Sequence, residues 1–501
     1  MKQLGIFARL IVFVTIALPA WGQGPASSSP RDFVTLGHQV VFFAHDPNET
    51  GALWTTDGTP AGTRELTAEA PPVKIAGLAG GAELWFVQEQ LGASLWRTKG
   101  TPDTTFPLVT EGIFIPDPDA YPIPSAIDNG KLYFFKAATA FELWVSDGTR
   151  PGTRRIASLP NDGNSTPLLA ASAGGRLFFL TAHRRPGPDL SFDHFALWRS
   201  DGTAKTTKRL SALPDYVFST LSTSRRLFFV SGARLWVSDG SVAGTSTLFA
   251  PADPAAPVIH LLLGAAGPNF YFLAEAGTQG DTLWVTDGTR RGTRIVSTAL
   301  TLTPASPFSA TLGNRIFFLA SDAAHGTELW TSAGTPRTTS LVADLCPGPC
   351  SAFAAPNSPS LTPAGGKLFF LAQDPNLGTT LFVSNGTRAG TQPVASFCSG
   401  DCAFSAALTP VGNEVYFYAR DPAQGMELWA SNGTPAGTRR LSDFNVAEPF
   451  PFLPGGAQPA PDLAVLGPKA VSTGFDTLTG FEPWVFDRAG GGGQLLVDVL
   501  P

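Results

Sequence analysis

Glu142-Leu143-Trp144-Val145-Ser146-Asp147-Gly148-Thr149-Arg150-Pro151-Gly152-Thr153 is one line of a pattern that the chain writes repeatedly. Versions centre on Trp54, Trp96, Trp144, Trp198, Trp236, Trp284, Trp330, Phe382 and Trp429, and a degraded tenth sits at Trp484. In the nine full copies a Ser or Thr lies two residues past the aromatic, a Gly four past it and a Thr nine past it. Successive aromatics are 42, 48, 54, 38, 48, 46, 52, 47 and 55 residues apart. That period falls in the range of four-stranded propeller blades.

Each unit has the same internal order. An apolar run such as Leu177-Phe178-Phe179-Leu180 or Leu368-Phe369-Phe370-Leu371 comes first, short and continuous as in strands covered on both faces. A turn follows, often Asp-Pro as at Asp46-Pro47 and Asp421-Pro422, a pairing suited to a type I β-turn. Next come the Leu-Trp strand, the Asp-Gly corner, a strand through Thr and Leu, and a Pro- and Ser-containing connector able to hold a fourth strand. Asp-Gly tolerates the positive φ of tight hairpin turns, and Ser146 and Asp147 can accept backbone N–H bonds across the corner. The tryptophan is a large apolar plate on a β-favouring strand, fit to fill the space between adjacent sheets. No helix-period segment of useful length appears. The expected fold is therefore an all-β propeller of about ten blade-like repeats of about 48 residues, since a ring hides sheet faces and leaves only short edges. An open β-solenoid is the alternative. One large ring and two five-bladed rings are both compatible with the pattern.

The 501 residues carry a formal net charge of −6 and 15% charged residues, which excludes the basic stripe of a nucleic-acid binder. Residues 1–22 read as a signal peptide: Lys2 and Arg9 flank the run Ile11 to Leu18, and Ala20 and Gly22 fit a cleavage site before Gln23. The run falls short of the roughly 20 apolar residues of a membrane span, so the mature chain is expected to be exported, secreted, periplasmic or cell-surface, with no transmembrane segment. Residues 23–31 read as a flexible leader and 32–501 as the repeat region.

Glu142-Leu143-Trp144-Val145-Ser146-Asp147-Gly148-Thr149, followed by Gly152-Thr153, resembles the ELWxxDGT repeat of exported bacterial proteins. Glu328-Leu329-Trp330 and Glu427-Leu428-Trp429 match its start, and Leu345-Cys346-Pro347-Gly348 after Asp344 looks like the connector that follows such repeats. The resemblance covers about residues 33–501. It implies a secreted or surface-exposed bacterial protein with a propeller-like fold and brings no catalytic residues. Lys99 and Ala333 in place of the turn Asp, and Phe382 in place of Trp, read as the drift that scaffold positions tolerate.

Cys346, Cys350, Cys398 and Cys402 form two Cys-x-x-x-Cys pairs 52 residues apart. In an exported chain two local disulfides are the simplest reading; a four-thiolate metal site is the sharper one. The corner aspartates (Asp57, Asp147, Asp201, Asp239, Asp287) read as turn stabilisers, because calcium wants six or more oxygens and each corner offers one carboxylate. The six histidines show no metal-ligand spacing, and no nucleophile elbow, His-Glu-x-x-His or phosphate loop appears. No cofactor or metal is expected, although glycosidase carboxylates could still meet in the fold.

Consecutive hairpins alternate between the two ends of a blade, so the Asp-Gly corners should share one face. The insertions 111–125, 182–195 and 445–461 should start on the other, with the cysteine loops. They carry Asp117, Asp119, Tyr121, Asp189, Asp193, His194, Glu448, Phe450 and Phe452, candidates for contact with a partner because variable loops on a rigid scaffold are where binding concentrates. The expected function is a non-enzymatic, monomeric secreted or cell-surface scaffold that binds protein or surface glycan through that face. The alternative is a propeller hydrolase or lyase acting on extracellular polysaccharide; a purely structural envelope component is a third reading.

Overall fold

A computed structural model describes residues 27–500 apart from short internal stretches, the longest being 116–122, 186–191, 250–258, 301–308, 354–360, 399–407 and 445–460. The first unit sets the plan: β1 (Arg31–Leu36), β2 (Gln39–His45), β3 (Gly51–Thr56) and β4 (Arg64–Thr67) form a four-stranded antiparallel meander. Seven further four-stranded sheets repeat it, and the second and third units fuse into one eight-stranded sheet. The fusion is local. The long strand Phe106–Ile113 reaches over to pair Ile113 with Lys136 of the next unit. Among the described residues, four-stranded antiparallel units follow one another along the chain, an all-β propeller architecture.

The core sits on the second strand of each unit. Val40 to Ala44, Leu132 to Phe135, Leu177 to Leu180 and Leu227 to Val230 are buried without interruption, so both strand faces are covered, as the apolar runs required. Across the ladder each second-strand ring meets the repeat tryptophan: Phe42 faces Trp54, Phe134 faces Trp144 and Phe272 faces Trp284. Their rings stack 6.0–6.5 Å apart. The tryptophans, on the third strand, are mostly half-buried; Trp330 and Phe382 are buried. They lie between sheets, as expected. Trp144 packs on a cluster that joins Phe86 and Leu95 of one unit to Leu132 and Phe134 of the next. Between the third and fourth strands the register slips at the Leu-Trp step, so that Leu143 faces Ala157 while Trp144 faces Arg155. The extra residue, Ile156, is buried.

The corners are longer than two-residue hairpins: seven residues, 147–153, join the strands Glu142–Ser146 and Arg154–Ser158. Only the glycine takes positive φ, 82° at Gly148. The Thr149 N–H and O–H both donate to Asp147 Oδ1, the Gly152 N–H donates to Thr149 Oγ1, and the Gly148 N–H donates to Ser146 Oγ. Ser146 Oγ meets Thr153 Oγ1 at 2.8 Å, and the same hydroxyl pair recurs from Thr56–Thr63 to Ser431–Thr438. The repeat's invariant hydroxyls are this lock. Asp147 Oδ1 serves the turn itself.

Lys99 and Ala333 are not drift. Where residue eight past the aromatic is Thr (Thr104, Thr206, Thr338) and not Gly, its hydroxyl accepts the backbone N–H of Lys99, Asp201 or Ala333. The Asp side chain is dispensable in those corners.

Neighbouring units meet through the corners. Arg97 Nη1 donates to Gly148 O of the following unit, Arg226 Nη1 to Asp287 O and Lys367 Nζ to Asn432 O. Lys469 Nζ of the last unit donates to Gly58 O of the first at 2.7 Å, so the series returns to its start. Phe33, Val40 and Phe42 share a buried cluster with Ala464, Val471, Val485 and Leu496. Residues of the expected leader, Ser28 and Pro30, make contacts at this closure. The Ser28 N–H and hydroxyl donate to Glu482, which also accepts the Val499 N–H, and Thr473 Oγ1 donates to Pro30 O. Among the described residues no helix is long and apolar enough to cross a membrane. The signal-peptide residues 1–22 lie outside the described residues.

Candidate functional site

Strand order places the corners on one face and the second-to-third-strand loops on the other, as the alternation argument required. Asp117, Asp119, Tyr121, Asp189, Glu448, Phe450 and Phe452 lie outside the described residues. Asp193 and His194 are described, and the structure brings a third residue to them that the sequence reading passed over.

His183 is the penultimate residue of the strand Arg176–Arg184, and Asp193 the second of its partner Phe192–Ser200, with the two in direct register. His183 Nδ1 lies 2.8 Å from Asp193 Oδ1, and His194 Nδ1 lies 2.7 Å from the same oxygen. Arg185 Nε donates to Asp193 Oδ2 at 2.7 Å. Side chains of consecutive strand residues normally point to opposite faces. Here His194 has φ 52° and the ladder slips between Thr181 and His183, so Asp193 and His194 turn to the same side. Arg185, and then the two imidazoles, hold the Asp193 carboxyl well below the usual carboxylate range. Neither histidine Nε2 has a hydrogen-bond partner among the described residues. Asp193 is thus a fixed anion that sets the tautomer of two imidazoles and leaves a free nitrogen on each.

Other perturbed carboxyls serve the fold. Burial pushes Glu328 up to about 7 although it accepts the N–H groups of Leu345, Cys346 and Ala352. Glu427, also pushed to about 7 by burial, accepts the Phe444 N–H and the Ser442 hydroxyl. These are the Glu of the repeat, and with Glu482 each clamps the segment leaving its own unit. The sequence held the signal in the Glu-Leu-Trp spacing, but its purpose needs the folded connector. Glu83 is buried with no partner for either oxygen, and burial pushes it to about 7; at 2% exposure it is out of a substrate's reach. A cavity between the fourth and fifth units is an apolar seam lined by Leu169, Phe178, Leu197, Val217 and Phe229. Cys346 and Cys350 form a disulfide beside the Glu328 clamp. The pairing of Cys398 with Cys402 lies outside the described residues.

The arrangement defines a propeller with a carboxylate–imidazole centre on a blade-edge hairpin. No family model and no curated protein matches the chain. Solved structures similar to it include a puromycin hydrolase (13% identity, TM-score 0.32, 73% of this chain and 61% of that one). An acylaminoacyl peptidase of Pyrococcus horikoshii is similar at 10% identity and TM-score 0.30, over 78% of this chain and 57% of that one. A prolyl endopeptidase structure gives 14% identity and TM-score 0.35, over 72% and 54%. The chain spans about three fifths of the puromycin hydrolase, and the likeness is one of fold. By their names these are hydrolases and peptidases, against the non-enzymatic binding scaffold expected above.

Proposed function

We propose that the chain is a hydrolase-type propeller acting on extracellular polysaccharide, with His183, Asp193 and His194 as its reactive centre. The observation that carries this reading is the convergence of two imidazoles and a guanidinium on one carboxylate. An imidazole oriented by a carboxylate through Nδ1 is poised to act as a base through Nε2. The attacking water gives its proton to that nitrogen as its oxygen bonds to the electrophilic carbon. The proton then passes to the leaving oxygen as the scissile bond breaks. Asp193 stays ionised throughout. The apolar leader and the resemblance to ELWxxDGT repeats support an exported location, and the Lys469–Gly58 contact supports one closed ring of ten blades.

The test is a reducing-end assay of the purified chain against a panel of bacterial and plant polysaccharides, with a peptide panel alongside. Asp193→Asn is expected to lower kcat/KM by about 100-fold or more, the usual scale for acid–base machinery, with the melting temperature little changed. Turnover of peptides alone would move the substrate class. No turnover, or an unimpaired Asp193→Asn variant, ends the reading.

A further inference from the structure

We infer that His183, Asp193 and His194 bind a divalent transition-metal ion of the zinc class. Their ligand atoms lie within 4.8 Å of one another, and Asp193 Oδ1 already stands 2.7–2.8 Å from both Nδ1 atoms. Bonds of about 2.0–2.1 Å to a tetrahedral ion set donors about 3.3 Å apart, so Oδ1 needs to part from each nitrogen by only about half an ångström, while the ligand atoms already stand within 4.8 Å of one another. Two imidazoles with one carboxylate suit zinc, copper or nickel better than calcium or magnesium, which want oxygen. The ion takes the place of the two N–H protons that now bridge the donors.

The backbone argues for more than a surface ion pair. A non-glycine residue at φ 52° is strained, and β-bulges gather where a side chain must be re-aimed. Both occur at this hairpin end, and their joint effect is to bring residues 193 and 194 to one side facing His183. Arg185 occupies Oδ2, which fixes the carboxylate for one-oxygen ligation, the outer-shell role that metal-bound carboxylates usually need filled. Three protein ligands leave a fourth position open for water, the pattern of catalytic zinc sites. With the ion bound, both Nδ1 atoms and Oδ1 are its ligands, so it would take over the activation of water from the imidazole base described above; that use rests on the hydrolytic reading, and the binding does not.

The experiment uses the full exported chain without a histidine tag, stripped with chelator and dialysed against Zn²⁺. Co²⁺ absorption in the visible reports the coordination number. One zinc per chain is expected, with an intense four-coordinate cobalt band and a melting temperature that rises with zinc concentration. His183→Ala and His194→Ala should each abolish the band, and Asp193→Asn should weaken binding about 10- to 100-fold. His38→Ala, at an exposed position elsewhere, should leave it unchanged. His194 is 74% exposed, so that variant folds, and its melting temperature in chelator verifies this. No stoichiometric zinc in the wild type, or equal zinc in His183→Ala and His194→Ala, overturns the inference. Zinc uptake without hydrolysis would sink the hydrolytic reading alone. Hydrolysis that survives chelation with no zinc retained would sink the metal alone.

Discussion

At the scale of single residues, the corner is a choice between two locks. A Cβ on Gly152 would stand 1.9 Å from Asp147 Oδ1, so the aspartate bridge and a side chain eight past the aromatic exclude each other. Six corners take Asp or Asn with Gly, and three take Thr at the eighth place, with Lys99, Asp201 or Ala333 at the third. Gly152→Ala should therefore destabilise by about 1–3 kcal/mol through the lost Asp147 bonds. The double change Asp147→Ala with Gly152→Thr should recover most of that loss, measured as a double-mutant cycle in denaturant midpoints. Additive losses would show the two locks to be independent. The hydroxyl and glycine positions could be read straight from the repeat. The exchange between Asp–Gly and Thr was equally visible there, but it looked like drift until the shared volume was known.

At the scale of elements, the buried second strands and the half-buried Trp strands follow from apolar runs and period, which local chemistry fixes. The histidine site does not. His183 and Asp193 are ten residues apart and meet only through ladder register, and His194 joins them only through a backbone exception to strand alternation. No spacing rule for metal ligands would find it. The clamping glutamates carry a pH signature. Burial raises Glu328 and Glu427 from 4.5 to about 7, so the folded state favours their neutral forms. Their stabilising contribution is complete below about pH 4.5 and is lost as pH climbs through about 7. The melting temperature should fall between pH 5 and pH 8, and the fall should shrink in Glu328→Gln/Glu427→Gln, followed by calorimetry. An unchanged slope would assign the pH dependence to other groups. Beside Glu328, the Cys346–Cys350 bridge closes a loop of five residues.

At the scale of the whole molecule, the first and last units meet by the same kind of corner contact that joins several neighbouring pairs, and Glu482 ties Ser28 and Val499 to that seam. Glu482→Ala would strand the Ser28 and Val499 N–H groups in a buried site, at about 1–3 kcal/mol each. Limited proteolysis should then release both chain ends together while the middle units stay resistant. Release of one end alone would show that the seam is not a unit. The seam also bears on biosynthesis. Ser28 is made 454 residues before its partner Glu482, so the opening blade must wait, one flank bare, until that residue has been made. Any early stop codon leaves a crescent with two exposed sticky flanks and nothing to seal them. For such a product self-association is the physical default.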